Sequence, residues 1–430
     1  MATAAESCKS EDFAPVAASK RRHGVDLGGG ASAVFRTASR RYKPPVPAPD
    51  ATQRAFVSAL KLSSFRNYAS LSLVLDRRSV VFIGPNGAGK TNLLEAISFL
   101  SPGRGLRRAS LEDVARAPGD GSWAVAATLE NAAGRVDIGT GVARGPEGPE
   151  TRRSVRVNHA AVRSPDALLE HARIVWLTPA MDGLFTGPAS DRRRFLDRAV
   201  FAIDRQHGTR VNAFERAMRG RNRLLSEPGP DRAWLTAIET EMAELGVAIA
   251  AARREWVGLA NALIAENTAN APFPAAGITL DGVLERDLAD RSAAEAEDGY
   301  RTRLGSERPR DAAAGRTLAG PHLADLKVRH LPKDMPAEGC STGEQKALLV
   351  GLVLAQALLA AKISGEAPIV LLDEIAAHLD QTRREALFRL LDDLGSQTFM
   401  TGTDAGPFAA IGEACARTLL VEAGQVRPTA

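Results

Sequence analysis

Apolar and polar residues alternate in short segments near both ends of the chain, and this pattern predicts β-strands there. Residues 57–62 and 71–75 alternate as strands with one buried face do. Residues 79–83 form a run rich in Val, Phe and Ile, which is typical of a strand covered on both faces. Further strand-like segments follow at 123–129, 135–139, 154–158, 326–328 and 369–372.

The middle of the chain has a helical pattern instead. Residues 190–265 are rich in Ala, Leu, Glu and Arg, with one clear break at Pro228-Gly229-Pro230, and residues 266–315 are loop-rich. Strands and helices that alternate at both ends predict an α/β fold with an inserted, mainly helical subdomain. We therefore predict four segments: a disordered extension, the first half of the α/β domain, the insertion and the second half. Their bounds are 1–55, 56–187, 188–310 and 311–430.

Charge and cysteine content exclude some classes of protein. The net charge is +4, and residues 1–54, with nine basic and five acidic side chains, account for all of it. The folded part is therefore neutral overall, and the basic balance by itself is no argument for nucleic-acid binding. Cys8, Cys340 and Cys415 are far apart and without CxxC spacing, which argues against a disulfide framework or a zinc site and fits a reducing compartment.

No segment of the sequence predicts a membrane span. The longest apolar run, residues 347–361, is short for a bilayer and is bounded by Lys346 and Lys362, so we interpret it as a buried core helix. The N-terminus lacks the apolar region of a signal peptide. We therefore expect a cytoplasmic protein without a membrane partner.

The strongest motif is GxxxxGK[ST], which follows the strand at 79–83 and opens an apolar helix at 92–100. Glycines let successive backbone N–H groups surround phosphates, and the helix N-terminus adds positive potential. Lys90 can reach the β- and γ-phosphates of ATP, and the Thr91 hydroxyl can ligate Mg²⁺. The alternative is a Gly-rich turn without a nucleotide. The predicted ATP-binding residues are Gly84, Pro85, Asn86, Gly87, Ala88, Gly89, Lys90, Thr91 and Asn92.

A second motif is the apolar strand 369–372, which ends in Asp373 and Glu374. Carboxylates at such a position are costly unless a cation compensates them. We predict that Asp373 holds Mg²⁺ through water and that Glu374 acts as the general base for the attacking water. The alternative is a strand that simply meets a polar loop.

A third motif precedes the apolar helix and consists of Ser341, Gly343, Glu344 and Gln345. Ser341 and Glu344 have the spacing of a helix capping box. The same Ser hydroxyl, Gly backbone and helix N-terminus can also bind a γ-phosphate. The two interpretations are compatible.

The order of these motifs resembles an ABC-type ATPase head. In that family the Ser-x-Gly signature of one subunit completes the ATP site of another, so the resemblance implies an ATP-dependent homodimer. Asp380 matches the D-loop aspartate, which implies contact across that dimer. Thr403 stands where the family often has a switch histidine, and Ala377-His378 and Glu344 also differ from common family residues.

Other segments resemble the RecF family of bacterial recombination mediators, over about residues 56–425. They are 65–68, 92–97, 175–179, 192–197 and 320–322. The resemblance implies a weak DNA-dependent ATPase of DNA repair, replication restart and the SOS response. It also implies action at single-strand gaps, where RecO and RecR help to load RecA. Two alternatives remain: an ABC transport ATPase subunit, and an ATP-dependent scaffold that does not hydrolyse ATP.

Arginines are concentrated in residues 190–225, a segment that contains ten arginines and only four acidic residues. Arg-rich helices can bind phosphates without reading bases. The alternative is a solvated helix face with internal ion pairs. Aromatic residues make up only 5% of the chain, which favours duplex-backbone contacts over single-strand stacking. The DNA-binding candidates are Arg192, Arg193, Arg194 and Arg198, together with Arg66, which the resemblance places near the phosphate loop.

Overall fold

The computed structural model describes residues 54–145, 148–150, 152–201, 203–266, 272–375 and 379–429. The predicted disordered extension, residues 1–55, lies almost entirely outside the described residues, as do Cys8 and the Ala377-His378 pair. The strands are β1 Phe56–Phe65, β2 Tyr68–Val74, β3 Ser79–Ile83, β4 Trp123–Asn131, β5 Gly134–Val142, β6 Arg144–Gly145, β7 Gly148–Pro149, β8 Ser154–Val157, β9 Ala160–Ala161, β10 Ile174–Leu177, β11 Ala276–Asp281, β12 Asp325–His330, β13 Met335–Pro336, β14 Ile369–Leu372, β15 Thr398–Gly402, β16 Ala416–Glu422 and β17 Gln425–Pro428.

Ten helices connect the strands among the described residues. They are α1 Lys90–Ser98, α2 Leu111–Val114, α3 Ala189–Val200, α4 His207–Leu225, α5 Arg232–Glu266, α6 Val283–Asp290, α7 Ala293–Ser306, α8 Arg308–Ala314, α9 Thr342–Ser364 and α10 Gln381–Leu394. All strand segments expected from the alternation pattern are strands in the structure.

A mostly parallel sheet forms the centre of the molecule, in the order β10-β14-β15-β3-β16-β17. Its central strands bury both faces, and consecutive residues of β14 contribute to different cores. Ile369 and Leu371 belong to one hydrophobic core and Val370 and Leu372 to the other. This is the two-sided burial expected of parallel strands whose residues alternate between faces.

Helix α1 lies between the parallel sheet and an antiparallel sheet of order β2-β1-β4-β5-β8-β9. Its apolar residues, such as Leu93, Leu94 and Ile97, share one core with residues of both sheets. The helix that begins at the phosphate-loop motif is therefore fixed on two sides.

Helix α9 packs on the opposite face of the parallel sheet. By length and composition it is the one helix among the described residues that could cross a membrane, and 67% of its most apolar window is buried inside the protein. Leu348, Leu352 and Val353 are almost completely buried. This burial is what a core helix requires, as predicted from residues 347–361.

Helices α3 to α8 lie between strands β10 and β14 in the chain. The expectation that residues 266–315 are loop-rich was wrong, because they contain β11 and the helices α6, α7 and α8. Part of what holds these helices is the fully buried Arg221 of α4. Its guanidinium donates to Glu239 (2.9 Å), to Asp311 (2.6 Å) and to the carbonyl oxygen of Leu304 (2.7 Å).

Candidate functional site

The phosphate-loop motif leaves β3 at its carboxyl end and leads directly into α1. Gly84 has φ +147°, and a Cβ there would lie 2.2 Å from the carbonyl oxygen of Val421. Gly89 has φ +110°, and its Cβ would lie 2.4 Å from the side-chain nitrogen of Asn67. The loop needs glycine at both positions because the backbone conformation and the space each exclude a side chain.

Asn67 and Tyr68, at the start of β2, hold the loop from outside. The Asn67 side-chain amide donates to the carbonyl oxygen of Ala88 (3.0 Å), and the Tyr68 hydroxyl donates to that of Gly89 (3.0 Å). Asn92, the first residue after the motif, donates to the Asn67 side-chain oxygen (2.7 Å). These contacts fix the loop before any ligand arrives.

Lys90 points into the loop. Its ammonium donates to the carbonyl oxygens of Gly84 (2.7 Å) and Pro85 (2.9 Å). Burial lowers the pKa of Lys90, whereas the charges of Glu374 and Asp373 oppose this shift. Phosphate oxygens are stronger acceptors than these carbonyls, so a triphosphate can replace them at little cost.

Asp373 and Glu374, the two acids that follow β14, lie next to the phosphate-loop motif at the start of α1. The Thr91 hydroxyl donates to Asp373 Oδ1 (2.9 Å), and so does the hydroxyl of Thr401 (2.8 Å). Burial is the main cause that raises the pKa of Asp373, and both of these hydrogen bonds act to lower it. Both hydroxyls donate to Oδ1, so neither occupies the second oxygen of this buried carboxylate. A carboxylate in this state is suited to binding a cation.

Thr401 also holds the second acid. Its Oγ1 accepts a hydrogen bond from the backbone N–H of Glu374 (2.8 Å), which has φ +54°. A non-glycine residue in this region is strained, and such strain persists only where neighbours enforce it. Sequence reasoning missed Thr401. The signal lies in strand pairing, since the register of β14 with β15 pairs Leu372 with Met400 and brings the next residues of each strand together.

These residues fit a nucleotide with Mg²⁺. The loop offers glycine backbone and an ammonium for phosphates, and Thr91 and Asp373 offer two oxygen ligands. No group of three or more His, Cys, Asp or Glu side chains suited to a metal occurs among the described residues. Mg²⁺ usually binds through one or two carboxylates plus substrate phosphates, so this sparse set suits Mg²⁺ that arrives with ATP.

The signature residues lie on the surface where α9 begins. Ser341 and Gly343 are exposed, and a Cβ on Gly343 would touch nothing. The Ser341 hydroxyl donates to Glu344 (2.9 Å), and Lys333 forms an ion pair with the same carboxylate. These contacts lower the pKa of Glu344 to about 2, Lys333 being the largest cause. Both interpretations of this motif are therefore compatible with the geometry: a capped helix start that also faces solvent.

Gln345 faces inward instead of joining this surface. It is buried, and its amide donates to the carbonyl oxygen of Cys340 (2.9 Å). It therefore positions the turn that carries Ser341. Asp380 and Thr403 are both exposed, with Asp380 capping α10 through the N–H of Arg383 (2.9 Å) and Thr403 donating to Asp404 (3.0 Å).

The predicted DNA-binding arginines have intramolecular partners. Arg192 donates twice to Asp325 (2.6 and 2.9 Å), and Arg66 donates twice to the buried Glu95 (2.8 and 2.7 Å). Arg193 donates to the carbonyl oxygen of Ala324, Arg194 pairs with Asp191, and Arg198 lies over the ring of Trp176.

Only some of these arginines face a common space. The cleft between the α/β domain and the inserted helices is lined by Arg193, Arg194 and Arg198, and neither Arg66 nor Arg192 is part of its lining. The internal pairing of Arg66 and Arg192 argues against the DNA contacts expected for them.

Comparisons with known proteins agree with this arrangement. Residues 56–425 match the family model described as the RecF/RecN/SMC N terminal domain. The chain is 57% identical over 373 residues to the DNA replication and repair protein RecF of Rhizobium meliloti (strain 1021), covering 87% of this chain and 99% of that one. It is 58% identical over 373 residues to the protein of the same name from Mesorhizobium japonicum, covering 87% and 98%.

A solved structure has a similar fold. It is described as the recombination mediator protein RecF-ATP in the RecFOR pathway and is 22% identical to this chain, with a TM-score of 0.76. The likeness covers 88% of this chain and 99% of the other.

Proposed function

The chain belongs to the RecF family and has the α/β fold of an ABC-type ATPase head, and from this premise we propose that it is an ATP-dependent DNA-binding protein of recombinational repair and replication restart. ATP with Mg²⁺ closes two copies into a dimer on gapped DNA, and slow, DNA-dependent hydrolysis opens the dimer again. We assign the protein to the cytoplasm.

The main support for this proposal is a hydrogen-bonded group of side chains at the phosphate loop, in which the hydroxyls of Thr91 and Thr401 both donate to Asp373. These residues come from three separate parts of the chain, and their meeting at one carboxylate is what a Mg–ATP site requires. A Gly-rich turn without a nucleotide has no use for a buried acid at this place.

Each residue of the site has one task in the proposed hydrolysis. The loop glycines and Lys90 hold the phosphates, while Thr91 and Asp373 hold the cation. Mg²⁺ held by these two residues would neutralise the negative charge that develops on the phosphate oxygens. Glu374 orients a water molecule and takes its proton as the water oxygen bonds to the γ-phosphorus. The bond from the γ-phosphorus to the bridging oxygen breaks, and ADP and phosphate leave.

A second copy supplies the other half of the proposed site. The exposed Ser341 and Gly343 at the start of α9 offer a hydroxyl, bare backbone N–H groups and a helix N-terminus to the γ-phosphate of the partner's ATP. Asp380 and Thr403 are also exposed and are proposed to meet the partner as the D-loop and switch residues. ATP then acts as a ligand that selects the closed dimer.

The partners proposed for this dimer are those of the recombination mediator pathway. The DNA is a junction of double and single strands, RecO and RecR bind the complex, and RecA is loaded as the indirect result. Support for these finer assignments is the family itself, together with the arginines that remain open to solvent.

The substitution Lys90→Ala tests the nucleotide assignment directly. Because it removes the one cation of the loop, we expect ATP affinity to fall roughly 100-fold, equivalent to about 2.7 kcal/mol. Titration with a fluorescent ATP analogue and Mg²⁺ measures it.

The matched control is Lys362→Ala, which removes an exposed lysine paired with Glu266 at the far end of α9. The control is expected to bind ATP as the unmodified protein does. Equal affinity of the Lys90 variant would refute the nucleotide site.

A further inference from the structure

A large cleft opens between the α/β domain and the inserted helices, away from the residues of the proposed ATP site. Its volume is about 1020 Å³. The walls come from the segment after α1, the segment around β8, strand β10 and helices α3, α4 and α5. The cleft is thus built by parts of the chain that are far apart in sequence.

Arginine dominates the lining of the cleft. The lining includes eleven arginines and only three acidic residues, Asp166, Asp197 and Glu215. Asp197 compensates one arginine of the lining, Arg253, and also binds His207, whereas Asp166 accepts from Thr209 and Glu215 pairs with Arg219, which lies outside the lining. The acids therefore leave most of the positive charge uncompensated.

Six of the arginines form no side-chain hydrogen bond or ion pair with any residue that the structure describes. Five of these six are exposed, and Arg173 is half-buried with an Nε that lacks a partner. Free guanidinium groups at this density repel one another unless an anion lies between them. The six residues are Arg104, Arg108, Arg152, Arg163, Arg173 and Arg216.

Two further arginines of the lining are desolvated without a counterion. Arg153 donates only to neutral oxygens, among them the Thr140 hydroxyl (2.6 Å) and the carbonyl of Gly103 (2.8 Å). The Arg198 guanidinium lies 4.3 Å from the centre of the Trp176 ring, and its Nε has no partner. Burial lowers the pKa of each to about 10. Such buried cations are costly, and a bound anion offsets the cost.

We propose that this cleft binds the sugar-phosphate backbone of single-stranded DNA. The unpaired arginines come from several separate segments of the lining. Several phosphates in a row are therefore needed to neutralise them, and a single small anion does not suffice. The volume is that of a large ligand pocket, which accommodates a few nucleotides of one strand but not a double helix. Of the Phe and Trp residues in the lining, Trp176 and Phe214 are buried and Phe201 is half-buried, so the surface for stacking of bases is small and the binding depends mainly on the backbone, independent of sequence.

This inference rests on the proposed function and gives the gap-binding protein a place for the unpaired strand. Duplex contacts, which the low aromatic content favours, then belong to other surfaces of the dimer. Because all lining residues belong to one chain, the cleft binds single strands without ATP and without dimerisation.

The test compares two triple variants of the full chain by fluorescence anisotropy with labelled oligo(dT) at several salt concentrations, without ATP. Arg104→Gln, Arg152→Gln and Arg163→Gln remove three exposed charges of the cleft. Arg135→Gln, Arg223→Gln and Arg232→Gln remove three exposed charges outside it. Each lost phosphate contact on a single strand reduces the salt slope by about 0.7, so the cleft variant is expected to lose about 2.

The expected result is a roughly 10- to 100-fold loss of oligo(dT) affinity in the cleft variant, little change in the control variant and unchanged ATP binding in both. Equal affinity of the cleft variant and the unmodified protein would overturn the assignment of the cleft while the DNA function stands. A duplex of the same length that loses affinity to the same degree would overturn the preference for a single strand. If the unmodified protein binds neither probe with or without ATP, the proposed DNA function itself fails.

Discussion

At the scale of single residues, Thr401 connects the two acids of the proposed ATPase site. Its hydroxyl donates to Asp373 and accepts from the N–H of Glu374, and the residue is completely buried. In the proposed site the Thr91 hydroxyl would turn towards Mg²⁺, and the hydrogen bond from Thr401 would then still orient Asp373. Partners of this kind contribute by fixing the geometry of a ligand and not by touching the substrate.

We predict that Thr401→Val lowers the rate of ATP hydrolysis roughly 10- to 100-fold, the range for a lost second partner of a metal ligand. Valine keeps the size of the side chain but cannot hold Asp373 or Glu374. The Mg²⁺ concentration for half-maximal rate is expected to rise while the affinity for the nucleotide without Mg²⁺ stays the same. Steady-state rates measured over a Mg²⁺ series check this.

Thr401→Ser is the control, since it retains the hydroxyl and is expected to restore most of the rate. If serine and valine are equally impaired, Thr401 acts through packing alone and the positioning role is wrong.

The sequence predicts residues that follow a local motif better than residues defined by their partners. Lys90, Thr91 and Asp373 lie where their motifs predict, beside one another at the end of the parallel strands. Thr401 was missed because its role depends on β15 lying between β14 and β3, and strand order cannot be read from alternation. Arg192 was chosen as a DNA-binding candidate for a related reason. Its intramolecular partner Asp325 lies 133 residues away in the chain, so this ion pair cannot be read from the local sequence.

At the scale of elements, the turn that opens α9 combines a helix cap with the exposed surface that is proposed to bind a γ-phosphate. Glu344 keeps its negative charge beside Ser341, and Lys333 is the nearby cation that compensates it. In the proposed dimer, the γ-phosphate of the second copy's ATP would lie next to this pair. We infer that the positive charge of Lys333 compensates the negative charge of Glu344, so that this acidic residue is tolerated in the signature turn.

We predict that Lys333→Ala weakens ATP-dependent dimerisation, because it leaves the Glu344 charge facing a phosphate. A repulsion of about 1 kcal/mol, which two unit charges reach at about 4 Å in water, acts at both symmetric sites of the dimer and raises its Kd roughly 30-fold. Adding Glu344→Gln to this variant removes the repulsion and is expected to restore the dimer. Light scattering over a protein concentration series with ATP measures all three proteins.

Lys362→Ala, at the other end of the same helix, serves again as the control with unchanged dimerisation. A double variant as weak as Lys333→Ala alone would contradict the electrostatic explanation.

Element prediction succeeded where a hydrophobic pattern was long or uniform, as in β3, β14 and α9. It failed over residues 266–315, because α6 and α8 are short and all three helices, α6, α7 and α8, have few buried positions. In α7 only Ala296, Tyr300 and Leu304 are buried, and Arg221 of α4 connects α7 and α8 through hydrogen bonds to the carbonyl oxygen of Leu304 and to Asp311. A buried ion network between distant residues leaves no periodic signal in the sequence.

At the scale of the whole molecule, the proposed function requires two copies that each supply half of a nucleotide site. The phosphate loop and the two acids form one half, and the exposed turn at Ser341 forms the other. The arginine cleft is independent of this pairing, since one chain builds it completely. A dimer that depends on ATP and a single-strand site that does not are therefore separable properties.

Sedimentation velocity of Glu374→Gln with ATP and Mg²⁺ is the direct test of an ATP site shared between two copies. This variant keeps every ligand of the nucleotide but lacks the general base, so bound ATP persists and a stable dimer is predicted. Adding Ser341→Arg to the same chain blocks the partner's half of the site, and a monomer that still binds ATP is predicted. A monomer in the first case, or an unchanged dimer in the second, would contradict the shared ATP site.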